Sequence, residues 1–371
     1  MKVIDLFSGA GGLSLGAARG GFTVAAAAEI DPFAMETHIK NFPLTHHIQK
    51  DVSTISGNEL LTLGKLKIGE LGGLVGGPPC QGFSTMGKQD PDDLRNNLFI
   101  DFFRLVSETT PLFFLAENVP GILDEKYDPL RNKAFSLVRD KYTILQPLKV
   151  KASDVGAPTI RTRIFFIGFN NSLVKNIPDQ INLETKTSTI IKEALSGLPI
   201  KIDPTWQSEE QGNRKLFDTN IANDYFYKRL IDHIPQNVGH SETIHKLLDK
   251  QIITSCQGTR HTPEVQSRYA RLKYNEVDRI SKSVRLNPEG LCPTLRAGTG
   301  SDKGSYQAVR PIHYIEPRVI TPREAARLQG FPDWFVFHKT KWHSFRQIGN
   351  SVSPFVSEAI FKEIFSILNK G

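Results

Sequence analysis

Cysteine is scarce in this chain. Cys80, Cys256 and Cys292 are its three cysteines in 371 residues, with no C-x-x-C pair, which argues against a disulfide framework and a cysteine-rich metal site. No uninterrupted apolar run reaches the ~20 residues of a membrane-spanning helix. The start, Met1-Lys2-Val3-Ile4-Asp5, has no charged leader followed by a long apolar stretch, so a soluble protein of the reducing cytoplasm is the expectation. A G-x-x-x-x-G-K-[ST] loop is also absent, which disfavours a triphosphate ligand.

What is present is an ordinary globular composition, 39% hydrophobic, in a chain long enough for two domains. The net charge of +7 permits an anionic partner without identifying one. It is unevenly spread. Residues 176–245 hold 7 Lys/Arg against 10 Asp/Glu, whereas residues 246–310 hold 12 against 6. That second stretch also carries Tyr269, Tyr274 and Tyr306 among glycine turns. Concentrated positive charge on irregular chain suits phosphate contacts and base reading, or a solvated basic surface.

Val3–Phe7 reads as a strand, Gly11–Arg19 as a helix and Val24–Glu29 as the next strand. Apolar runs recur at Leu71–Val75, Leu112–Ala116 and Ile164–Phe169, with helical patterns at Leu98–Val106 and Ala134–Val138. This alternation predicts an α/β fold with a parallel sheet covered on both faces. The pattern stops near Asn170 and stays irregular to about Pro317. Helices return at Pro322–Leu328 and Pro354–Leu368. The expected organisation is a catalytic domain over 1–172, a recognition insert with its hinge over 173–338, and a return to the first domain over 339–371.

Four stretches carry chemistry. In G-G-P-P-C-Q-G-F-S, Gly76 to Ser84, two prolines stiffen the chain before Cys80 and Gly82 allows close approach of a ligand. Cys80 there is either a small buried hydrophobe or a thiol at a pocket mouth. D-L-F-S-G-A-G-G, Asp5 to Gly12, sits where the first strand turns into the first helix. A nucleoside, a dinucleotide or a plain tight turn would fit it. Glu29 ends the second strand, positioned for ribose hydroxyls, and Asp51 could accept from an adenine amino group. Together these acids describe a nucleoside site. Glu117, in E-N-V after the strand Leu112–Ala116, either caps the next turn or, partly desolvated beside a pocket, donates a proton.

Taken in order, these stretches resemble the DNA (cytosine-5)-methyltransferases over nearly the whole chain outside the insert. D-L-F-S-G-A-G-G is similar to the family's S-adenosylmethionine loop, G-G-P-P-C-Q-G-F-S to its nucleophile loop, and E-N-V at Glu117 to its E-N-V motif. R-T-R, Arg161 to Arg163, resembles its paired arginines. R-V-I-T-P-R-E from Arg318 to Glu324 with L-Q-G-F-P from Leu328, and Q-I-G-N-S-V-S-P from Gln347 to Pro354, resemble its ninth and tenth blocks. The resemblance implies a Rossmann-like S-adenosylmethionine-dependent sheet with a smaller, irregular target-recognition domain.

It also implies a bacterial, sequence-specific enzyme acting on double-stranded DNA at the nucleoid. Such an enzyme would be a monomer without metal, one half of a restriction–modification pair whose endonuclease acts separately. In that reading Cys80 attacks carbon 6 of a flipped cytosine, Glu117 engages N3 and the amino group, Arg163 holds the carbonyl oxygen, and Arg161 lies nearer the backbone or the loop. The donor would rest on Phe7, Ser8, Gly9, Gly11, Gly12, Glu29, Ile30, Asp51, Val52, Pro78 and Leu98, with Asn350 and Ser351. Two departures stand out: Ile30 where many relatives have an aromatic, and Thr159 where Gln is common.

Ser84 to Asn97 resembles the family's mobile loop, with Ser84 and Lys88 toward DNA; an ordinary surface loop is the other reading. Arg260, in Q-G-T-R-H from Gln257, and Arg296, in T-L-R-A-G-T-G-S from Thr294, are the candidates for contacts to guanine or the backbone. Two other functions compete: a tRNA cytosine-5 methyltransferase, which the continuous G-F-S after Gln81 and the basic insert oppose, and a catalytically silent DNA-binding homologue, which intact Cys80, Glu117 and Arg163 oppose.

Overall fold

Apolar residues that alternate between two faces build the first strands, and short turns link them to helices that cover both faces. The computed structural model describes residues 1–79, 97–205, 212–216, 224–298 and 309–370. These divide into two compact units, one of residues 1–151, 162–184 and 356–371, the other of residues 152–161 and 185–355.

In the first unit the order is β1 (Lys2–Leu6), α1 (Gly12–Arg19), β2 (Thr23–Ala28), α2 (Pro32–Asn41), β3 (His46–Ile48), α3 (Gly57–Leu63), β4 (Leu71–Gly76), α4 (Asn97–Thr109), β5 (Phe113–Asn118), α5 (Asp128–Ser136), β6 (Tyr142–Ile144), β7 (Leu148–Lys151) and β8 (Thr162–Asn170). The strands line up as β3-β2-β1-β4-β5-β8-β6, with β7 also paired to β8. The first five run parallel. The expectation of a parallel sheet fails beyond β5: β6, β7 and the Ile164–Phe169 strand, β8, join antiparallel. No helix separates β6, β7 and β8 within this unit, and only parallel neighbours need a crossover.

Ile4, Leu6, Ala26, Ala28, Phe114 and Ala116 face one core with Leu60 and Leu61 of α3 and Ala134 of α5. Helix α4 contributes Phe99, Phe102, Phe103 and Val106 to the same core, the i, i+3, i+4, i+7 stripe of a helix with one apolar face. On the opposite face Phe113 packs 5.4 Å from Phe22 and 6.4 Å from Phe361. Phe361 lies on the last helix, Pro354–Asn369, which returns to this unit from Val356 onward.

In the second unit the irregular stretch contains more helix than its sequence suggests. It holds α6 (Ile191–Ala194), β9 (Arg214–Lys215), α7 (Asp224–Ile231), α8 (Ser241–Lys250), β10 (Ile252–Ile253), α9 (Pro263–Arg271), α10 (Pro322–Gln329) and α11 (Lys341–Asn350); α12 is then Pro354–Asn369. Its centre is α10, every residue of which is buried. Thr321 and Glu324 form a reciprocal cap at its start, and Arg318 reaches both oxygens of Glu324 at 2.9 and 2.7 Å. Burial pushes the Glu324 carboxyl up, but the Arg318 charge and hydrogen bonds prevail and hold it below the ordinary glutamate value. Arg327 pairs with both oxygens of Asp333 at 2.9 and 2.6 Å, with neither side chain exposed. Arg323 donates to the carbonyls of Thr254, Pro332 and Phe335. Arg323 and Arg327 survive burial because every guanidinium nitrogen has an acceptor.

Candidate active site

Parallel strands bring their carboxyl ends to one edge, the usual place for a ligand in an open α/β sheet. Phe7 follows β1, Glu29 follows β2, Asp51 lies beyond β3, Pro78 follows β4 and Glu117 is near the end of β5. The antiparallel direction of β8 then has a consequence. Its first residues lie opposite the last residues of β5, with Asn118 aligned to Ile164, and so Arg163 meets Glu117.

The turn after β1 is held in unusual backbone. Phe7 (φ 57°), Gly9 (φ 55°) and Gly11 (φ 102°) are left-handed, which costs a side-chain-bearing residue like Phe7 about 1–3 kcal/mol and marks a site held in shape by its surroundings. A Cβ on Gly11 would fall 2.5 Å from Phe42 Cε2, whereas the Cβ direction of Gly9 opens on empty space. Glu29 ties the loop to the next strand: its Oε2 accepts from Gly9 N at 2.9 Å and its Oε1 from Asp31 N at 2.8 Å. Burial is the main cause that raises its pKa above the ordinary value, against the pull of these backbone donors. Ser8 Oγ is buried without a hydrogen-bond partner. Ile30 is 63% exposed.

Asp51 caps the turn that follows it, accepting from Ser53 N at 2.9 Å, while Val52 is buried. Pro78 is buried and Leu98 half-buried. An open glycine, an orphaned hydroxyl, a half-buried carboxylate after β2 and an exposed aliphatic face together fit an S-adenosylmethionine-sized nucleoside ligand.

At the other end of the edge, Arg163 Nε lies 2.7 Å from Glu117 Oε1, both side chains mostly buried. The contact is an ion pair without hydrogen-bond alignment, so Glu117 Oε1 has no hydrogen-bond partner and retains accepting capacity. Glu117 Oε2 would be 2.9 Å from a Cβ on Gly77, which places the carboxylate against the glycine that precedes the prolines. Asn118 accepts from Val119 N through its own side chain at 2.9 Å, setting the turn after β5.

Arg161 belongs to the second unit. It is buried, with Nη1 on the Leu295 carbonyl at 3.0 Å and Nη2 on the Asn350 carbonyl at 3.4 Å. Thr159, the departure noted above, donates to the Cys292 carbonyl at 3.1 Å. Ser351 is buried and donates to Gln347 O, and Asn350 is exposed. Arg260 and Arg296 are exposed in this unit. Cys80, Ser84 and Lys88 lie outside the described residues. The other two cysteines are buried, and burial pushes the thiols up, Cys256 to about 12 and Cys292 further. Neither is a nucleophile at neutral pH.

Among the described residues no cluster of three His, Cys, Asp or Glu side chains could hold a metal, and no helix is long and apolar enough to cross a membrane. The sequence reading overlooked a chain of polar groups under the turn after β1, from Asp5 through Ser14 and His38 to His47. Two histidines nine residues apart on different elements leave no periodic trace; only Asp5, polar in an apolar strand, pointed there.

Comparison with known proteins bears on the whole chain. Residues 1–366 match the family model described as C-5 cytosine-specific DNA methylase. The Type II methyltransferase M.XorII of Xanthomonas oryzae pv. oryzae is 36% identical over 99% of this chain and 85% of its own length. M.DdeI of Desulfomicrobium norvegicum is 31% identical over 98% and 88%. A crystal structure from E. coli, described as a prophage-encoded DNA modification methyltransferase, superposes with a TM-score of 0.89 at 54% identity, covering 100% of this chain and 99% of that one. The S. pombe Dnmt2 methyltransferase, at 16% identity and a TM-score of 0.61, shares the fold.

Proposed function

Because the chain belongs to the C-5 cytosine-specific DNA methylase family and is a DNA cytosine-5 methyltransferase, we propose that Glu117 and Arg163 hold the target cytosine while Cys80 attacks it. The observation that carries this is the 2.7 Å ion pair of Arg163 Nε with Glu117 Oε1 at the carboxyl edge.

Carbon 5 of cytosine is too electron-poor to attack a methyl sulfonium. Addition of the Cys80 thiolate to carbon 6 makes carbon 5 nucleophilic; once carbon 5 carries the methyl group, loss of its proton to a base expels the same thiolate, a good leaving group, and restores the ring. Glu117 at N3 and the amino group balances the charge that develops as sulfur adds, and Arg163 takes the carbonyl oxygen. The ring is out of reach in a stacked duplex, so the base is flipped into the site. Bound S-adenosylmethionine, the family's cofactor, supplies the methyl group as an electrophile. Phe7, Ser8, Gly9, Gly11, Gly12, Glu29, Ile30, Asp51, Val52, Pro78 and Leu98 would hold it, with Asn350 and Ser351.

Residues 173–338 would read the target, Arg260 and Arg296 among them, with Ser84 and Lys88 on the DNA from the lid after Cys80. Arg161 would support the recognition side by pinning the Leu295 carbonyl. One chain supplies every part, so it acts as a monomer at the bacterial nucleoid, with the cognate endonuclease of its restriction–modification pair acting separately.

Bisulfite sequencing of DNA from a non-methylating host that expresses the chain should show protected cytosines within one short sequence. Unmodified DNA in the presence of soluble protein would overturn the reading. Methyl transfer to tRNA in preference to duplex DNA would replace it with the RNA-modifying one.

A further inference from the structure

Beneath the turn after β1 lies a chain of polar side chains that methyl transfer does not use. Ser14 Oγ is 2.5 Å from Asp5 Oδ2 and 3.0 Å from His38 Nε2, and His38 Nδ1 is 2.9 Å from His47 Nε2. Asp5, Ser14 and His38 are buried, and His47 is half-buried. The chain therefore runs from the core to the edge of the molecule.

Each group along it has one donating and one accepting role, so the chain has two polarities. With Asp5 ionised, Ser14 donates to it, His38 Nε2–H donates to Ser14, and His47 Nε2–H donates to His38 Nδ1. With Asp5 protonated, Asp5 donates to Ser14, Ser14 to His38 Nε2, and His38 Nδ1–H to His47 Nε2. Every link is satisfied in both forms and both imidazoles stay neutral. The forms differ by one proton, and a proton added at His47 Nδ1 converts the first into the second by three short shifts, one along each link.

Burial pushes the Asp5 carboxyl up to about 7, opposed by the Ser14 hydrogen bond and aided by the Glu29 charge. Burial lowers both histidines, His38 strongly with the His47 charge adding to it, and His47 to about 4, opposed by the Thr45 backbone hydrogen bond and aided by the His46 charge. Asp5 is thus the group that changes charge near neutrality. Its strand neighbours, Ala27 and Val75, carry no charge. Ser14 faces it from α1 and Glu29 from the end of β2. From the last helix, Ser357 donates to the Gly12 carbonyl, and Glu358 lies against Arg19 and Lys362.

The chain adjoins the donor turn. Asp5 feels Glu29, which holds Gly9 N, and His38 Cδ2 would lie 3.1 Å from a Cβ on Gly11. We propose that Asp5, Ser14, His38 and His47 form a proton-linked support for this turn, which distinguishes a cationic from a neutral ligand by charge. The sulfonium of the methyl donor favours ionised Asp5, whose proton leaves through Ser14, His38 and His47. The demethylated product has lost that positive charge, and Asp5 takes a proton back. His38 and Ser14 are positioning residues here. The inference rests on the assignment of Phe7–Gly12 and Glu29 to the donor.

Calorimetric titration of the full chain in two buffers of different ionisation enthalpy measures the protons released on binding. S-adenosylmethionine and S-adenosylhomocysteine have the same amino-acid end, so the sulfur charge alone separates them. At pH 7 the first should release a measurable fraction of a proton more than the second. Its affinity should rise with pH below 7, by at most about tenfold per unit, and level off above. Asp5→Asn should remove the difference between the ligands. Ser14→Ala keeps the carboxyl but withdraws the bond that lowers its pKa, so the midpoint of the affinity profile should move to higher pH; this variant decides the matter if Asp5→Asn does not fold. Equal proton counts for the two ligands, or an unmoved midpoint in Ser14→Ala, would overturn the proposal while leaving the donor site intact. Failure to bind either ligand would remove the donor assignment itself and this inference with it.

Discussion

A single carboxylate, Glu117, shows how much chemistry depends on one neighbour. Arg163 approaches its Oε1 at 2.7 Å, and β8 brings that arginine there only because it runs against β5. Glu117→Gln should lower methyl transfer by roughly 10²–10⁴-fold with folding intact, as read by tritium transfer to duplex DNA. Cys80→Ala should abolish transfer and leave DNA binding measurable in a gel-shift assay; full activity in that variant would exclude covalent catalysis through Cys80. Asp5 supplies a prediction on stability. The native chain keeps a proton on Asp5 that the unfolded chain, near the ordinary value of 3.8, has lost. That contribution is complete below about pH 4 and disappears as pH rises through 7. His38 and His47, lowered below 6.5, act in the opposite sense as pH falls. Comparing urea unfolding of wild type and Asp5→Asn isolates the aspartate: without ligand, the advantage of wild type should shrink from pH 4 to pH 7. A constant difference would show that Asp5 does not titrate in this range.

At the scale of elements, α1 and α12 meet through a glycine. A Cβ on Gly16 would lie 2.0 Å from Ser357 Oγ and 2.6 Å from the backbone N of Glu358, so α12 itself would have to move. Gly16→Ala, although a better helix former, should destabilise the protein by about 1–3 kcal/mol through overpacking, measured as a lower urea midpoint with unchanged slope. Much at this scale was legible in sequence. The Phe99, Phe102, Phe103, Val106 stripe announces α4, and the turn at Gly9–Gly12 announces a ligand loop. Helices α7, α8 and α9 were not legible, because short polar helices in a loop-rich stretch are stabilised by what they pack on rather than by a long apolar period. Nor was the direction of β8, since a fully buried strand reads the same both ways.

For the whole molecule, charge is the main variable. The surplus of +7 is concentrated in residues 246–310, and Arg260 and Arg296 are exposed there. DNA affinity should fall steeply with salt, and replacing either arginine by alanine should reduce the slope of log affinity against log salt by about 1 if it contacts a phosphate. A loss of selectivity at one base pair with an unchanged slope would instead assign that arginine to base reading. Fluorescence anisotropy over a salt series, with cognate and scrambled duplexes, separates the outcomes.

Sequence alone determined the scarcity of cysteine, the glycine turn, the order of the motifs and the family they resemble, because each is a local property of residue type and spacing. Tertiary structure decided which of these residues meet. Arg163 reaches Glu117 from within β8, while Arg161, two positions earlier and before that strand begins, is spent on the carbonyls of Leu295 and Asn350. It also decided that Cys256 and Cys292 are buried, and that hydrogen bonds through Ser14 and His38 link Asp5 to His47. Burial and hydrogen-bond partners set those properties, and both come from residues far away along the chain.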